Sequence, residues 1–272
     1  MQFARLNDVT LHYQVIGSPA DKPTIVFVNS LGTDFRIWRD VVVRLVGEFA
    51  IVTYDKRGHG LSEVGETPYS MPMLAADLAA LLDHLGISQA TLCGVSVGGL
   101  VAQQLCHDRP DLVSALLLCD TLGRMGDEAM WNARIAAVEA DGLAAIADSI
   151  LERWFTPTFR SPANAELAGY RAMLSRQPAD GYIATCAALR DTDLRAQAAA
   201  LAVPTIVIVG ADDPAPSPKA AADFARSIPA SRFEVIDACG HLPSVEQPEQ
   251  LAAILRAFMS LGRTETTSHV SH

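Results

Sequence analysis

Residues 94–99 read GVSVGG, one serine among glycines, between the apolar run ATLC and the helix-like stretch LVAQQLCH. Glycine is costly at such a place unless the backbone must turn sharply or approach a neighbour closely. The stretch fits G-x-S-x-G with a strand before it and a helix after it, the setting in which a strained turn presents a serine hydroxyl as a nucleophile. Gly94 and Gly98 are expected to let strand and helix come together, with Gly99 extending the clearance. The helix that starts near Ser96 points its N-terminus at the same spot, where its dipole favours developing negative charge.

A serine hydroxyl needs a base to activate it. Of the seven histidines, His269 and His272 lie in the polar C-terminal stretch, His12 in an edge-strand pattern, His84 and His107 in helical patterns, and His59 in KRGHG. His241, in DACGHLPSVEQP, follows the last strand pattern and precedes the last helical one, which makes it the expected base. The acid that orients it should sit at another strand end. VGADDPAPSP offers Asp213, deeper in its turn and next to Pro214, with Asp212 and Asp120 as alternatives. Ser96, Asp213 and His241 are thus the expected catalytic residues. An oxyanion hole needs two main-chain N–H groups. Val97 should supply one and Leu31 the other, from SLGTD (30–34), with Ser30 the neighbouring alternative and Gly32 bending the loop.

Those groups need a frame. TIVFVN (24–29), AIVTYD (50–55) and ATLCGV (90–95) are near-continuous apolar runs, as in strands covered on both faces, and VSALLLCD, PTIVIVG and RFEVIDA continue the series. VTLHYQV alternates instead and should form an antiparallel edge. Helical patterns at 71–86, 99–110 and 247–262 fall between or after the strands, which argues for an α/β sheet, mostly parallel and flanked by helices. One connection is oversized: Asp120 to Val203 spans about 80 residues, where a crossover needs on the order of a dozen or more. Helical patterns around 127–140, 143–154, 164–176 and 180–200 and two of the three tryptophans lie in it, and it reads as a lid over the sheet's carboxyl edge. The expected organisation is a core of residues 1–120 and 201–262, a helical cap of 121–200 and a flexible tail of 263–272.

Composition narrows the partners. Half of the 272 residues are hydrophobic, so a globular chain is expected, and the net charge of −10 argues against nucleic acid. No apolar stretch approaches the roughly 18 residues needed to span a bilayer, so no membrane partner is expected. The five cysteines are scattered and odd in number, with no C-x-x-C, which points to a reducing cytoplasm rather than a disulfide framework or zinc site. No metal or cofactor motif occurs, and a homo-oligomer is left open.

Together, VNSLGTDFRIW, YDKRGHGLS, CGVSVGG, GADDPAPSP and CGHLPSVEQP resemble the α/β-hydrolase superfamily over nearly the whole chain, and the order Ser96, Asp213, His241 is the order that family uses. The resemblance implies an eight-stranded, mostly parallel sheet with the lid inserted after strand 6. NSLGTD in place of the commoner His-Gly segment, CDT after the sixth strand and ERWFTPTF in the lid are similar to 3-oxoadipate enol-lactonases of aromatic catabolism. That implies a cofactor-free serine hydrolase acting on a small lactone that carries a carboxylate. On so acidic a protein the carboxylate needs a pocket cation, and arginine fits a planar anion. Arg134 is the candidate, three residues from Trp131 on one helix face, with Trp154 as an apolar wall. Other esterases, lactonases, carbon–carbon hydrolases, perhydrolases, haloperoxidases and non-catalytic binding proteins share the fold, which does not choose among them.

Overall fold

The apolar runs become the inner strands of one sheet. In the computed structural model, which describes residues 1–267, the strands are β1 (Gln2–Leu6), β2 (Val9–Ile16), β3 (Thr24–Val28), β4 (Ala50–Tyr54), β5 (Ala90–Val95), β6 (Val113–Cys119), β7 (Thr205–Gly210) and β8 (Arg232–Ile236). Every residue of β3, β4, β5 and β7 is buried, as their uninterrupted hydrophobicity requires. The order is β1-β2-β4-β3-β5-β6-β7-β8, with β1–β2 and β2–β4 antiparallel and the other neighbours parallel. β8 departs from the expected series: RFEVI is the far edge and largely exposed, and its charged Arg232 and Glu234 suit an unpaired edge.

Helices cover the sheet: α1 (Arg39–Leu45), α2 (Met71–His84), α3 (Val97–Asp108), α8 (Pro218–Ser227), α9 (Pro243–Glu246) and α10 (Pro248–Thr267), with α4 (Glu128–Trp154), α5 (Ala165–Ser175), α6 (Ala179–Asp191) and α7 (Arg195–Ala198) between β6 and β7. Their starts are chemically marked. Ser70 and Ser217 cap α2 and α8 ahead of Pro72 and Pro218, and Asp127 accepts from Met130 N at 2.8 Å to open α4. The last helix runs to Thr267, past the expected end at residue 262, so the expected tail of 263–272 is helical in its first part. Its remainder, with His269 and His272, lies outside the described residues.

Within the insertion, α4 breaks at Gly142 (φ 73°), where the 127–140 and 143–154 patterns part. The expected helix over 180–200 divides into α6 and α7, because the chain turns at Asp193 and Leu194 N donates to Gly123 O at 2.7 Å. The insertion has an interior of its own, in which Val138, Leu143, Ala147, Leu174 and Cys186 are all buried. The insertion sits directly on the loop after β4: a Cβ on Gly181 would lie 2.3 Å from Gly58 O, and Gly60 N donates to Gln177 Oε1 at 2.7 Å.

Candidate active site

The β5–α3 turn is built by its glycines. A Cβ on Gly94 would lie 2.3 Å from Gly98 O, one on Gly98 2.1 Å from Val28 O, and one on Gly99 2.4 Å from Thr121 Cγ2. Strand, helix and the neighbouring strand end therefore touch backbone to backbone. Ser96 sits between them at φ 58°, ψ −120°, a conformation that costs an L-residue about 1–3 kcal/mol and persists only where the surroundings hold it. Here they do: Ser96 N donates to Cys119 O at 2.9 Å, and Thr121 Oγ1 donates to Ser96 O at 2.8 Å.

Two more strand ends deliver the imidazole and its carboxylate. A Cβ on Gly210 would lie 2.1 Å from Gly240 O, so the loops after β7 and β8 also meet at their backbones. His241 Nδ1 lies 2.7 Å from Asp213 Oδ2; a carboxylate can only accept, so Nδ1 carries the proton and Nε2 is left as the basic nitrogen. Asp213 is fully buried at its side chain, and its Oδ1 accepts from Ala215 N at 2.8 Å. Asp212 is exposed. Asp120 is also buried here: its Oδ1 accepts from Gly210 N at 2.9 Å, while Oδ2 has no partner. Burial first, and then the nearby Asp213, push the Asp120 carboxyl far above the usual carboxylate range. Asp120, Asp213 and His241 each offer an atom within 4.8 Å of the others.

The loop after β3 forms the opposite lip. Asn29 fixes its base, accepting from Trp38 Nε1 at 2.8 Å and donating to Tyr54 O at 2.7 Å. Gly32 bends it at φ 74°, and its missing Cβ leaves room for Leu174. Thr33 N donates to Ser30 O and Gly32 N to His59 Nε2. Among the described residues, the Leu31, Ser30 and Val97 N–H groups have no acceptor in a turn, loop or side chain. Leu31 and Val97 are buried.

Ser30, Leu31, Ser96 and His241 open on one cavity of about 120 Å³, a size for a small molecule, whose far wall includes Trp131, Arg134 and Trp154. Trp131 donates from Nε1 to Met125 O at 2.6 Å, and the Arg134 guanidinium lies over its ring at 5.3 Å. Val97, beneath the turn, does not line the cavity. The structure adds residues that sequence reasoning missed. Arg153 also lines the cavity and, with Arg134, has no carboxylate partner among the described residues; burial first, then Arg134, hold it below the ordinary guanidinium value. Its place in ERWFTPTF, beside Trp154, was the available signal. Glu246 ties the walls together, accepting from Gly240 N at 2.7 Å and from Thr156 N and Oγ1 at 3.1 and 2.7 Å, while His241 N donates to Trp154 O at 2.9 Å. Nothing in the local sequence marks that link.

Comparison with known proteins agrees with this architecture. The family described as alpha/beta hydrolase fold matches residues 23–248. The chain is 36% identical over 252 residues to 3-oxoadipate enol-lactonase 2 of Acinetobacter baylyi, covering 93% of this chain and 94% of that one. It is 38% identical over 251 residues to 3-oxoadipate enol-lactonase 1 of the same organism, covering 92% and 93%. The enol-lactonase from Burkholderia xenovorans superposes with a TM-score of 0.92 at 33% identity, over 95% of this chain and 100% of that one. The chain belongs to the α/β-hydrolase family, as a hydrolase related to the 3-oxoadipate enol-lactonases.

Proposed function

We propose that this hydrolase opens the ring of a small enol-lactone bearing a carboxylate, 3-oxoadipate enol-lactone, through an acyl-enzyme on Ser96. The observation that carries the reading is the cavity itself: a strained serine and an imidazole already hydrogen-bonded to a buried carboxylate on one side, two arginines without carboxylate partners among the described residues on the other. The names of the relatives supply the lactone.

Ser96 Oγ attacks the lactone carbonyl and passes its proton to His241 Nε2. Asp213 keeps the ring in the Nδ1–H tautomer and stabilises the imidazolium. The N–H groups of Val97 and Leu31 receive the oxyanion; Ser30 remains the alternative to Leu31. The leaving group departs as an enol and becomes a ketone, so it asks less of His241 as general acid than an amine would. Water activated by His241 then releases 3-oxoadipate. Arg134 and Arg153 hold the substrate's carboxylate, Trp131 and Trp154 shape the apolar wall, and the helical insertion acts as a lid. Buried free cysteines fit a reducing compartment, and we place the reaction in the cytoplasm. No described helix is long and apolar enough to cross a membrane.

The test is turnover of 3-oxoadipate enol-lactone beside p-nitrophenyl acetate, with mass spectrometry of the quenched enzyme. The expected result is preference for the lactone in kcat/KM and an acyl mass on the peptide containing Ser96. A protein that turns over the ester but not the lactone, or carries the acyl group elsewhere, overturns the reading.

A further inference from the structure

One buried cation stands outside the chemistry just described. Lys56 directly follows β4 and Asp55, and is 2% exposed. Among the described residues no carboxylate lies within 4.0 Å of its ammonium. Its Nζ instead donates to Ser30 O at 2.6 Å, and Thr33 Oγ1 and N donate to the same oxygen at 2.9 and 3.4 Å. Ser30 C=O and Leu31 N–H are the two ends of one peptide group. That group is trans, so its planarity points carbonyl and N–H in opposite directions. Anchoring the carbonyl from behind therefore fixes where the Leu31 N–H points, and that N–H has no acceptor among the described residues. A cation on the carbonyl oxygen also draws density through the amide and strengthens the N–H as a donor.

The same loop after β4 grips the next peptide. Gly32 N donates to His59 Nε2 at 3.1 Å, so this nitrogen must keep its lone pair, and the ring proton sits on Nδ1, 3.3 Å from Arg57 O. Burial first, and then Lys56, hold the His59 pKa well below its ordinary value, in keeping with a neutral ring beside a charged lysine.

We propose that Lys56 is a positioning residue of the oxyanion hole, which anchors and polarises the Ser30–Leu31 peptide so that the Leu31 N–H meets the developing oxyanion. The proposal rests on the serine-hydrolase reading and deepens it.

A purely structural lysine makes a poor account of this site. Burial pushes the Lys56 ammonium down to about 7, against the pull of Asp55 beside it and Asp34 from the loop before α1; His59 is the other titratable group facing it. Methionine would fill the space of the stem without that cost, and Ser30 O would keep both Thr33 donors. Replacing a buried ionic group by an apolar one of similar volume is often neutral or stabilising. A structural role thus predicts that Lys56→Met is at least as stable and fully active. The positioning role predicts a stable protein with an impaired chemical step.

The test compares full-length wild type, Lys56→Met, Thr33→Val and Ser96→Ala, with p-nitrophenyl acetate as substrate and phenylboronic acid as a tetrahedral serine-adduct inhibitor. For Lys56→Met, kcat is expected to fall about tenfold to a hundredfold, short of the ~10²–10³ lost on deleting an oxyanion donor outright, with KM held within about twofold. The boronate Ki should rise by a matching factor and Tm should not fall. Thr33→Val should move kcat and Ki together by a smaller factor. The ratio of wild-type to Lys56→Met rate should shrink as pH rises past 7, where the wild type loses its cation. A folded Lys56→Met with unchanged kcat and Ki, or with its loss confined to KM, overturns the proposal. Should that variant fail to fold, unchanged kcat and Ki in Thr33→Val does the same. Equal boronate binding by wild type and Ser96→Ala would instead overturn the serine reading.

Discussion

The two walls of the cavity are built in opposite ways. On the sheet side each group proposed to react is held by named hydrogen bonds: Ser96 by Cys119 O and Thr121, His241 by Asp213 and Trp154 O, the Ser30 carbonyl by Lys56 and Thr33. On the insertion side the wall is mainly apolar, with Leu122, Met125, Met130, Trp131, Ile150 and Trp154, and its two arginines have no carboxylate partners among the described residues. A wall with fixed dipoles suits a reaction, since preorganised donors need not reorganise as charge develops. A wall with free cations suits a choice of molecule, since each arginine remains available to an incoming anion. On the proposed reading, the core would carry the chemistry and the insertion the selection.

The sharpest way to break this division is to remove a group from the sheet side. Ser96→Ala and His241→Ala are each expected to lower kcat by on the order of 10⁴ or more, because such residues act as a unit, with the thermal midpoint nearly unchanged. A loss below tenfold in both would mean that the reaction is carried elsewhere. The insertion side should respond differently. Arg134→Met and Arg153→Met should raise KM for a carboxylate-bearing lactone by about ten- to a hundredfold, the worth of a charge-assisted hydrogen bond, and leave p-nitrophenyl acetate unaffected. Equal losses on both substrates would erase the distinction between the walls.

The walls meet at Glu246, where the comparison can be sharpened. Glutamine there keeps one acceptor oxygen but turns an amide toward Gly240 N or Thr156 N, leaving a buried donor unsatisfied at about 1–3 kcal/mol. Glu246→Gln should therefore lower the thermal midpoint and reduce kcat a few-fold through the loosened His241 loop, on charged and uncharged substrates alike. An undisturbed midpoint would show that the link carries no load.

The same division governs what could be read from the sequence. GVSVGG was legible because a strained turn leaves glycine fingerprints, and the strands were legible because burial on both faces forces continuous hydrophobicity. Asp213 could be preferred over Asp212 by its depth in the turn, and the structure buries the first and exposes the second. Arg153 gave only its place in ERWFTPTF, too little to single it out, since a half-buried arginine among Ile150, Leu151 and Trp154 has the same sequence appearance as a solvated one. Nothing in DKRGHGLS marks Lys56; that it reaches back to residue 30 depends on β3 and β4 being sheet neighbours, which no local pattern states. Long-range hydrogen bonds such as Glu246 to Thr156 leave no periodic trace at all.

The smallest expected effect on catalysis tests the inner layer of the sheet side. Asp120 shares its space with Asp213, and its raised pKa means that the folded protein keeps a proton the unfolded chain releases near the ordinary carboxylate value. The sign follows from linkage: above that value the native state binds more protons than the unfolded one, so this group's contribution is full below it and declines as pH rises toward the folded pKa. Asparagine has nearly the same shape, keeps an oxygen for Gly210 N, and offers N–H where the acid offers O–H. Asp120→Asn should therefore retain activity within about threefold, in line with an exchange of one neutral donor for another. Its thermal midpoint should fall less steeply than the wild type's between mildly acidic and alkaline pH. If it is instead crippled like Ser96→Ala, Asp120 is ionised and reacting, and the carboxylate behind His241 is shared between two strand ends rather than supplied by one.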